Sequence, residues 1–312
     1  MALSSMTTRQ KLEIIQKMLG LSQTALAARF GVSFVAFNAW WNGRAAPRPR
    51  MQKAIDGLFL EATGQKSIPA SELAAKKAVL HQKTQAHKNI IEEILSSPDI
   101  RDQLYLKLTY HSNGIEGSTL TEPDTAAILF DGATIPGKSL NEHLEAKNHQ
   151  TALGYLLDHL SNNGRIDTAL ALKLHGILMN SIRSDAGSFR CHAVRIAGIS
   201  LVTANHLKIP DLIPPLMKTA AKKTKDPVNL AARTHADFER IHPFSDGNGR
   251  IGRLLMNAML LKANLAPAVI RQEIKKFYYI HLHKAQTKND PSQLEDFICD
   301  AILGGFDILE RK

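Results

Sequence analysis

Residues 242–250, HPFSDGNGR, form a short connector between two stretches with helical patterns. Pro243 disfavours the helical conformation at the residue before it, so the preceding helix is predicted to end near Ile241. The next helix is predicted to begin at about Gly249. The connector holds a histidine, an acid, two glycines around an asparagine, and an arginine. A simple turn does not require so many charged and titratable side chains. The connector therefore predicts a binding or catalytic site.

The glycines and arginines of this stretch predict an anion site. Gly247 and Gly249 allow backbone amides to approach a ligand closely, and the start of the next helix adds unpaired N–H groups and a positive dipole end. Arg250, Arg253 and Asn257 share one face of that helix because they are three and four residues apart. The two guanidinium groups suit bidentate contacts to phosphate.

Asp246 and His242 add a metal ligand and a base. A carboxylate is a hard oxygen ligand of the kind that a phosphate-bound Mg²⁺ accepts. A histidine can remove a proton from an incoming hydroxyl near neutral pH. Base, metal ligand, anion cradle and two cations together predict phosphoryl or nucleotidyl transfer. The alternative is a capped helix–helix turn with surface arginines.

The connector resembles the signature of the Fic (Fic/Doc) family. Residues 242–253 match His-x-Phe-x-Asp/Glu-Gly-Asn-Gly-Arg-x-x-Arg at every defined position, and the resemblance extends over roughly residues 98–300. Members mostly transfer AMP from Mg²⁺-ATP to a hydroxyl of a target protein. The resemblance implies that His242 is the base and that Asp246 holds Mg²⁺. It implies a nucleotide site formed by Gly247, Asn248, Gly249, Arg250 and Arg253, with Asn257 on the same helix face.

A second motif, SNGIEG at residues 112–117, resembles the Ser/Thr-x-x-x-Glu-Gly/Asn inhibitory motif of many Fic proteins. Ser112 and Glu116 are four residues apart on a predicted helix, which Gly117 can end. The resemblance implies that Glu116 pairs with Arg253 and withholds it from the γ-phosphate. Gly114 weakens this helix by about 1 kcal/mol relative to alanine. The alternative is that Gly117 merely ends a helix and that Glu116 is solvated.

Residues 188–204, SFRCHAVRIAGISLVTA, interrupt an otherwise helical pattern that begins near residue 71 with one helix over about 71–95. Their β-branched residues surround a glycine, which predicts a β-hairpin. The hairpin resembles the family's flap, which positions the target by strand addition. The predicted flap residues are Phe189, Arg190, Val194 and Ile196. Tyr278 and Tyr279 are candidates for the wall of the adenine site.

Residues 1–60 predict a small basic helical module. They hold eight Lys and Arg against two Asp and Glu, and so carry six of the ten net positive charges of a chain with a pI of about 9.6. Ser22 and Ser33 are predicted to cap two short helices on either side of a turn at Gly31. This pattern resembles the helix-turn-helix domains of phage-repressor type.

The helix-turn-helix reading predicts that residues 1–60 bind duplex DNA. The start of the third helix would face the major groove, and the arginines after it would contact phosphates. The predicted DNA-binding residues are Ser33, Phe34, Val35, Asn38, Arg44, Arg48 and Arg50. The alternative is a protein-interaction module with a solvated basic tail, because the third helix offers few polar side chains that read bases.

The composition narrows the functional classes further. No apolar run approaches the length of a membrane span, and the first residues lack the apolar run of a signal peptide. The two cysteines stand alone, which excludes a disulfide framework and a cysteine-based zinc site. We expect a cytoplasmic protein with no membrane partner.

These patterns predict a mostly α chain with three parts: a helix-turn-helix domain at 1–60, a linker and connecting helix at 61–97, and a Fic domain at 98–312. The predicted function is Mg²⁺-ATP-dependent transfer of AMP to a protein hydroxyl, inhibited by Glu116, in a protein that forms a homodimer. The alternatives are a transcriptional regulator whose pocket only senses nucleotide, and a Fic enzyme that phosphorylates proteins or removes AMP.

Overall fold

The computed structural model describes residues 6–195 and 202–311. It is 68% helical with no strand among these residues, which confirms the predicted mostly α fold. The α-helices are α1 (Thr8–Leu19), α2 (Gln23–Arg29), α3 (Phe34–Trp41), α4 (Pro49–Ala62), α5 (Ala70–Thr84), α6 (Ile90–Ser96), α7 (Pro98–Glu116), α8 (Glu122–Ala126), α9 (Leu140–Ser161), α10 (Thr168–Leu178), α11 (Ile209–Ala220), α12 (Pro227–Ile241), α13 (Asn248–Lys262), α14 (Lys275–Lys288) and α15 (Ser292–Leu309). A π-helical turn (Ala127–Asp131) follows α8, and a 3₁₀ turn (Gln272–Ile274) precedes α14.

Side-chain caps begin several helices where the sequence predicts them. The Ser22 hydroxyl accepts a hydrogen bond from the amide of Ala25 at 3.1 Å, and the Ser33 hydroxyl caps α3 in the same way. The predicted helix over residues 71–95 is instead two helices. Asn89 caps α6 through its side-chain oxygen, and this cap restarts the chain in a new direction after α5.

The helices α1–α4 pack around fully buried apolar side chains, among them Leu12, Leu26, Phe37 and Ile55. These side chains belong to an apolar cluster that is continuous with the rest of the chain. The Arg29 guanidinium lies 4.9 Å from the centre of the Phe277 ring on α14. The N-terminal helices therefore pack onto the larger body, and the boundaries at residues 60 and 97 stay predictions.

The helix α13 lies at the centre of the larger body. All of its residues from 250 to 261 are buried, and it packs against α7, α9, α10 and α12. Because α7 and α12 both contact α13, they bring Glu116 and His242 towards its first turn. Among the described helices, none combines the length and the hydropathy needed to cross a membrane.

The predicted β-hairpin does not appear among the described residues of its segment, since residues 188–195 and 202–204 contain no strand. Ile196, at the centre of the prediction, lies outside the described residues. The Arg190 guanidinium joins the two arms instead, donating to the carbonyl oxygens of His192 and Ala204 at 2.6 Å each. A buried side chain therefore holds together the two arms that the hairpin prediction joined by a backbone ladder.

Candidate active site

His242 ends α12 in a left-handed backbone conformation, with φ 54° and ψ 62°. Such a conformation is strained for a residue with a side chain and often marks a functional position. The Nδ1 atom lies 3.2 Å from the carbonyl oxygen of Glu239, so a proton on Nδ1 leaves the lone pair on Nε2. Burial, together with the positive charge of Arg190, lowers the pKa of His242 below 6.5. The ring is therefore neutral at pH 7 and able to accept a proton.

The loop after His242 is closed by its own side chains. The Asn248 amide accepts a hydrogen bond from the Phe244 amide N–H at 2.8 Å and donates to the Phe244 carbonyl at 2.9 Å. The buried Phe244 ring stacks on the His175 ring with 3.8 Å between centroids. His175 accepts from the Gly187 N–H and lies 3.2 Å from the Asp246 carbonyl oxygen. The loop is thus held by side chains of its own and by His175.

Asp246 presents a carboxylate at the mouth of the site. Its side chain is 54% exposed, and Oδ1 accepts from the Gly247 amide at 2.6 Å. No cluster of three or more His, Cys, Asp or Glu that suits a metal occurs in the described part of the chain. A magnesium ion bound to phosphates needs only one or two protein carboxylates, and the exposed Asp246 fits that requirement.

Arg253 is buried and holds Glu116 by an ion pair. Its Nη2 lies 2.7 Å from Glu116 Oε1 and donates to the Ser112 carbonyl at 3.0 Å, while Nε donates to the Ser112 hydroxyl at 3.0 Å. Gly117 ends α7 with φ 108° just after this contact. A Cβ atom on Gly249 would overlap Glu116 Oε1. The Glu116 carboxylate therefore rests directly on the first turn of α13.

Arg250 and Asn257, which were predicted to bind the nucleotide, instead form hydrogen bonds within the protein. Arg250 Nη1 donates to Glu145 Oε1 at 2.7 Å, and its side chain is only 2% exposed. The Asn257 side chain accepts from the Ala268 amide at 2.8 Å. Neither residue lines the main cleft, so Asn257 supports the fold. Arg250 Nη2 lies 3.7 Å from Asp246 Oδ1, so the guanidinium stays beside the signature loop while Nη1 binds Glu145.

The cleft in front of this loop has a volume of about 1250 Å³, larger than a typical small-ligand pocket. The residues that line it come from α1, residues 62–65, the end of α7, Arg195 of the predicted flap segment, the loop of His242 and residues 245–249, and α14. Tyr279 of α14 lines the cleft, whereas Tyr278 is buried with its hydroxyl 2.6 Å from His235 Nε2. Of the two candidate adenine-wall tyrosines, only Tyr279 is available to a ligand.

Comparison with known proteins agrees with this geometry. Residues 165–260, which include the whole of the 242–253 signature, match the model of the Fic/DOC family. The chain is 33% identical over 202 residues to "Protein adenylyltransferase Fic" of Drosophila erecta, and 32% identical over 188 residues to "Protein adenylyltransferase fic-1" of Caenorhabditis elegans. These matches cover 64% and 59% of this chain, but only 41% and 37% of the relatives.

Two solved structures share the fold. A Fic domain containing signaling protein from Bacteroides thetaiotaomicron superposes with a TM-score of 0.63 at 24% identity, covering 75% of this chain and 98% of that one. Residues 134–508 of C. elegans Fic-1 superpose with a TM-score of 0.62 at 23% identity, covering 83% of this chain and 84% of that one. The helical arrangement of the Fic domain is therefore confirmed.

The predicted flap residues of the Fic domain anchor the loop more than they face a target. Arg190 is 3% exposed, and its Nε donates to the His242 carbonyl at 2.7 Å. The Phe189 ring lies 5.8 Å from the Phe244 ring. Val194 is half-buried, and its carbonyl accepts from the Thr203 hydroxyl at 2.9 Å. Arg190 thus fixes the backbone on which His242 sits.

The predicted DNA-binding residues lie on the surface of the N-terminal helices. Phe34 and Val35, at the start of α3, are 46% and 78% exposed, and Arg44, Arg48 and Arg50 are exposed after it. Ser33 caps α3, and the Asn38 side chain accepts from the Asn42 side chain at 2.9 Å. Exposed apolar side chains thus begin α3, and exposed arginines follow its end.

Sequence reasoning missed Glu239, one helical turn before His242. The carboxyl is 6% exposed, and its Oε1 atom has no hydrogen-bond partner. Burial, with a further contribution from Glu116, raises the pKa of Glu239 to about 8. Its position three residues before the predicted base His242 is the signal that would have identified it.

Proposed function

We propose that this chain is an Mg²⁺-ATP-dependent protein adenylyltransferase. The observation that carries the proposal is the neutral His242 beside an anion cradle at the first turn of α13, where the Glu116 carboxylate rests against Gly249 and Arg253. A helix N-terminus that holds a carboxylate is chemically suited to a phosphate. The Drosophila and Caenorhabditis relatives, both named protein adenylyltransferases, support AMP transfer as the reaction.

The reaction follows from these positions. A hydroxyl oxygen of the target attacks the α-phosphorus of ATP, and Nε2 of His242 takes the hydroxyl proton. The bond between the α-phosphorus and the oxygen bridging to the β-phosphorus breaks, so that pyrophosphate leaves. Asp246 would hold Mg²⁺, which when bound would supply positive charge to the phosphates. The amides of residues 247–249 and Arg253 bind the phosphate chain in the proposed complex.

Glu116 makes this enzyme autoinhibited in our proposal. Its carboxylate competes with the γ-phosphate for the Arg253 guanidinium, because both anions need the same donors. If the ion pair is populated in about 99% of molecules, only about one molecule in a hundred is competent. Replacing Glu116 with glycine removes the competitor and leaves the cradle intact, so we expect about a hundredfold faster transfer.

The test is the intact mass of wild type and Glu116→Gly after incubation with Mg²⁺-ATP. We expect the variant to gain AMP on its own hydroxyls faster than the wild type, and we expect Arg253→Ala in the same chain to erase the gain. A Glu116→Gly protein that folds and binds ATP without gaining AMP would contradict the proposed activity.

Labelled ATP separates the alternative activities. Label from the α-phosphate on protein supports AMP transfer, whereas label from the γ-phosphate supports phosphorylation. Nucleotide binding with neither label supports a sensor. Loss of AMP from a modified protein on incubation with the wild type would indicate the reverse reaction. The predicted homodimer is tested by the sedimentation of the same preparations.

DNA binding is the second candidate function, favoured by the exposure of Phe34 and Val35 at the start of α3 and of the three arginines after its end. In this proposal α3 enters the major groove and Arg44, Arg48 and Arg50 contact phosphates. A titration of fluorescent duplex DNA at low and high salt tests it. No binding at low salt would favour the protein-interaction module.

A further inference from the structure

The last turn of α7, which carries Glu116, lies against the start of α14. The Lys275 ammonium donates to the carbonyl oxygens of Gly114 at 3.1 Å and Ile115 at 3.3 Å. The Tyr279 hydroxyl, one turn further along α14, is 3.4 Å from the same Ile115 oxygen. Both α14 side chains thus bind carbonyl groups that end α7.

These contacts have a clear electrostatic basis. The last carbonyl groups of a helix have no partner within the helix, and they form the negative end of its dipole. A lysine at this end satisfies two of them and places a cation where it is favoured. Glu116 is the last residue of α7, so its side chain keeps its position only while this turn stays wound.

Gly114 allows the close approach. A Cβ atom at this position would overlap the Gln272 side chain, which packs against α7 from the 3₁₀ turn before α14. Gly114 would weaken an isolated helix by about 1 kcal/mol relative to alanine. The contacts of Gln272, Lys275 and Tyr279 compensate for this weakness from outside the helix.

We propose that Gln272, Lys275 and Tyr279 form a clamp that holds the last turn of α7 and so sets the strength of inhibition by Glu116. This inference rests on the proposed adenylyltransferase function and on its inhibition by Glu116. Lys275 is a positioning residue in this proposal. It acts on the nucleotide site only through Glu116, because its hydrogen bonds go to α7.

The test is Lys275→Met in the full chain, with the rate of self-modification by Mg²⁺-ATP measured by intact mass. Loss of a charge-assisted hydrogen bond corresponds to about a tenfold shift, so we expect transfer about tenfold faster than in wild type. Lys275→Arg keeps the cation and should retain the wild-type rate. Lys223→Met, at an exposed lysine in the loop after α11, is the matched control.

A double variant distinguishes the clamp from a general effect on the site. In a Glu116→Gly chain there is no glutamate to position, so adding Lys275→Met should leave the rate unchanged. Lys275→Met alone should also strengthen binding of ATP more than that of ADP, because only ATP has the γ-phosphate that Arg253 would then accept. If Lys275 only stabilised the fold, its replacement would not change the affinity for ATP relative to that for ADP.

The outcomes separate the two proposals. If Glu116→Gly is active while Lys275→Met matches or falls below the wild type, the clamp is wrong and the proposed function stands. If Glu116→Gly is inactive, the proposed function itself fails. If Lys275→Met no longer unfolds cooperatively on heating, the test is repeated with Lys275→Gln, which keeps a polar side chain without the charge. We expect the same increase in the transfer rate, and a rate at or below that of the wild type would again contradict the clamp.

Discussion

The raised pKa of Glu239, one helical turn before the predicted base His242, can be tested directly. Glu239 is a buried carboxyl with a pKa raised to about 8, chiefly by burial and then by the charge of Glu116, while Arg253 opposes the shift. At pH 7 it is therefore protonated in the folded protein, whereas in the unfolded chain it titrates near its ordinary value of 4.5. Glu239→Gln replaces the protonated acid with a neutral side chain of the same shape.

The magnitude follows from proton linkage. Between pH 4.5 and about 8 the folded protein binds one more proton at Glu239 than the unfolded chain does. The free energy of unfolding therefore falls as pH rises, by about 1.4 kcal/mol per pH unit from this group. Glutamine cannot ionise, so the variant escapes this loss. As the pH rises from 5 to 8, we expect the free energy of unfolding of Glu239→Gln to increase by about 4 kcal/mol relative to that of the wild type.

The assay is urea unfolding of both proteins at several pH values from 5 to 8. Buried histidines change the stability of each protein as well: burial lowers the pKa of His149 to about 3 and that of His281 to about 4. They bind protons only in the unfolded chain below pH 6.5, so both proteins lose stability as the solution becomes acidic. These contributions cancel in the difference between the two proteins. Parallel curves for the two proteins across this range would refute the raised pKa.

The remaining predictions concern the base and the DNA-binding face. His242→Ala should slow AMP transfer by about 10²–10⁴-fold while leaving ATP binding nearly intact, since the base acts on the target hydroxyl; wild-type transfer in this variant would exclude the role. Because the pKa of His242 is lowered, the rate of Glu116→Gly should fall on the acid side with a midpoint below pH 6.5, and a midpoint above that value would contradict it. If duplex DNA binds, replacing Arg44, Arg48 and Arg50 with glutamine should reduce the slope of log affinity against log salt by up to about 3, and an unchanged slope would place the contacts elsewhere.

The parts of the fold and site that local chemistry determines were predictable from sequence. Pro243 ends α12, Ser22 and Ser33 cap their helices, and the pairing of Glu116 with Arg253 occurs as the motif implied. Each of these depends on a few neighbouring residues or on a signature long enough to be specific. The β-hairpin does not appear in the described residues 188–195 and 202–204, and β-branched composition does not reveal the buried arginine that binds both arms.

The sequence did not predict the contacts between side chains that lie far apart along the chain. Arg250 has the spacing of a surface cation, yet it is buried against Glu145, a residue 105 positions earlier in the chain. Nothing local to Arg250 indicates that partner, because the partner is set by the packing of α9 against α13. The predicted phosphate contact of Arg250 came from the motif alone, and the motif does not indicate the ion pair with Glu145.

Gly114 shows that a residue with low helix propensity can be needed for packing between two helices. Judged by helix propensity, a glycine inside the inhibitory motif argues against a firm helix. In the folded chain the missing Cβ gives the Gln272 side chain its place, and Lys275 then reaches the carbonyl groups that Gly114 and its neighbour expose. The stability of this turn thus comes from α14, more than 150 residues away in sequence. In the proposed mechanism this turn has to release Arg253 before ATP binds productively, and a turn that is held from outside by a few side chains of α14 suits such a release.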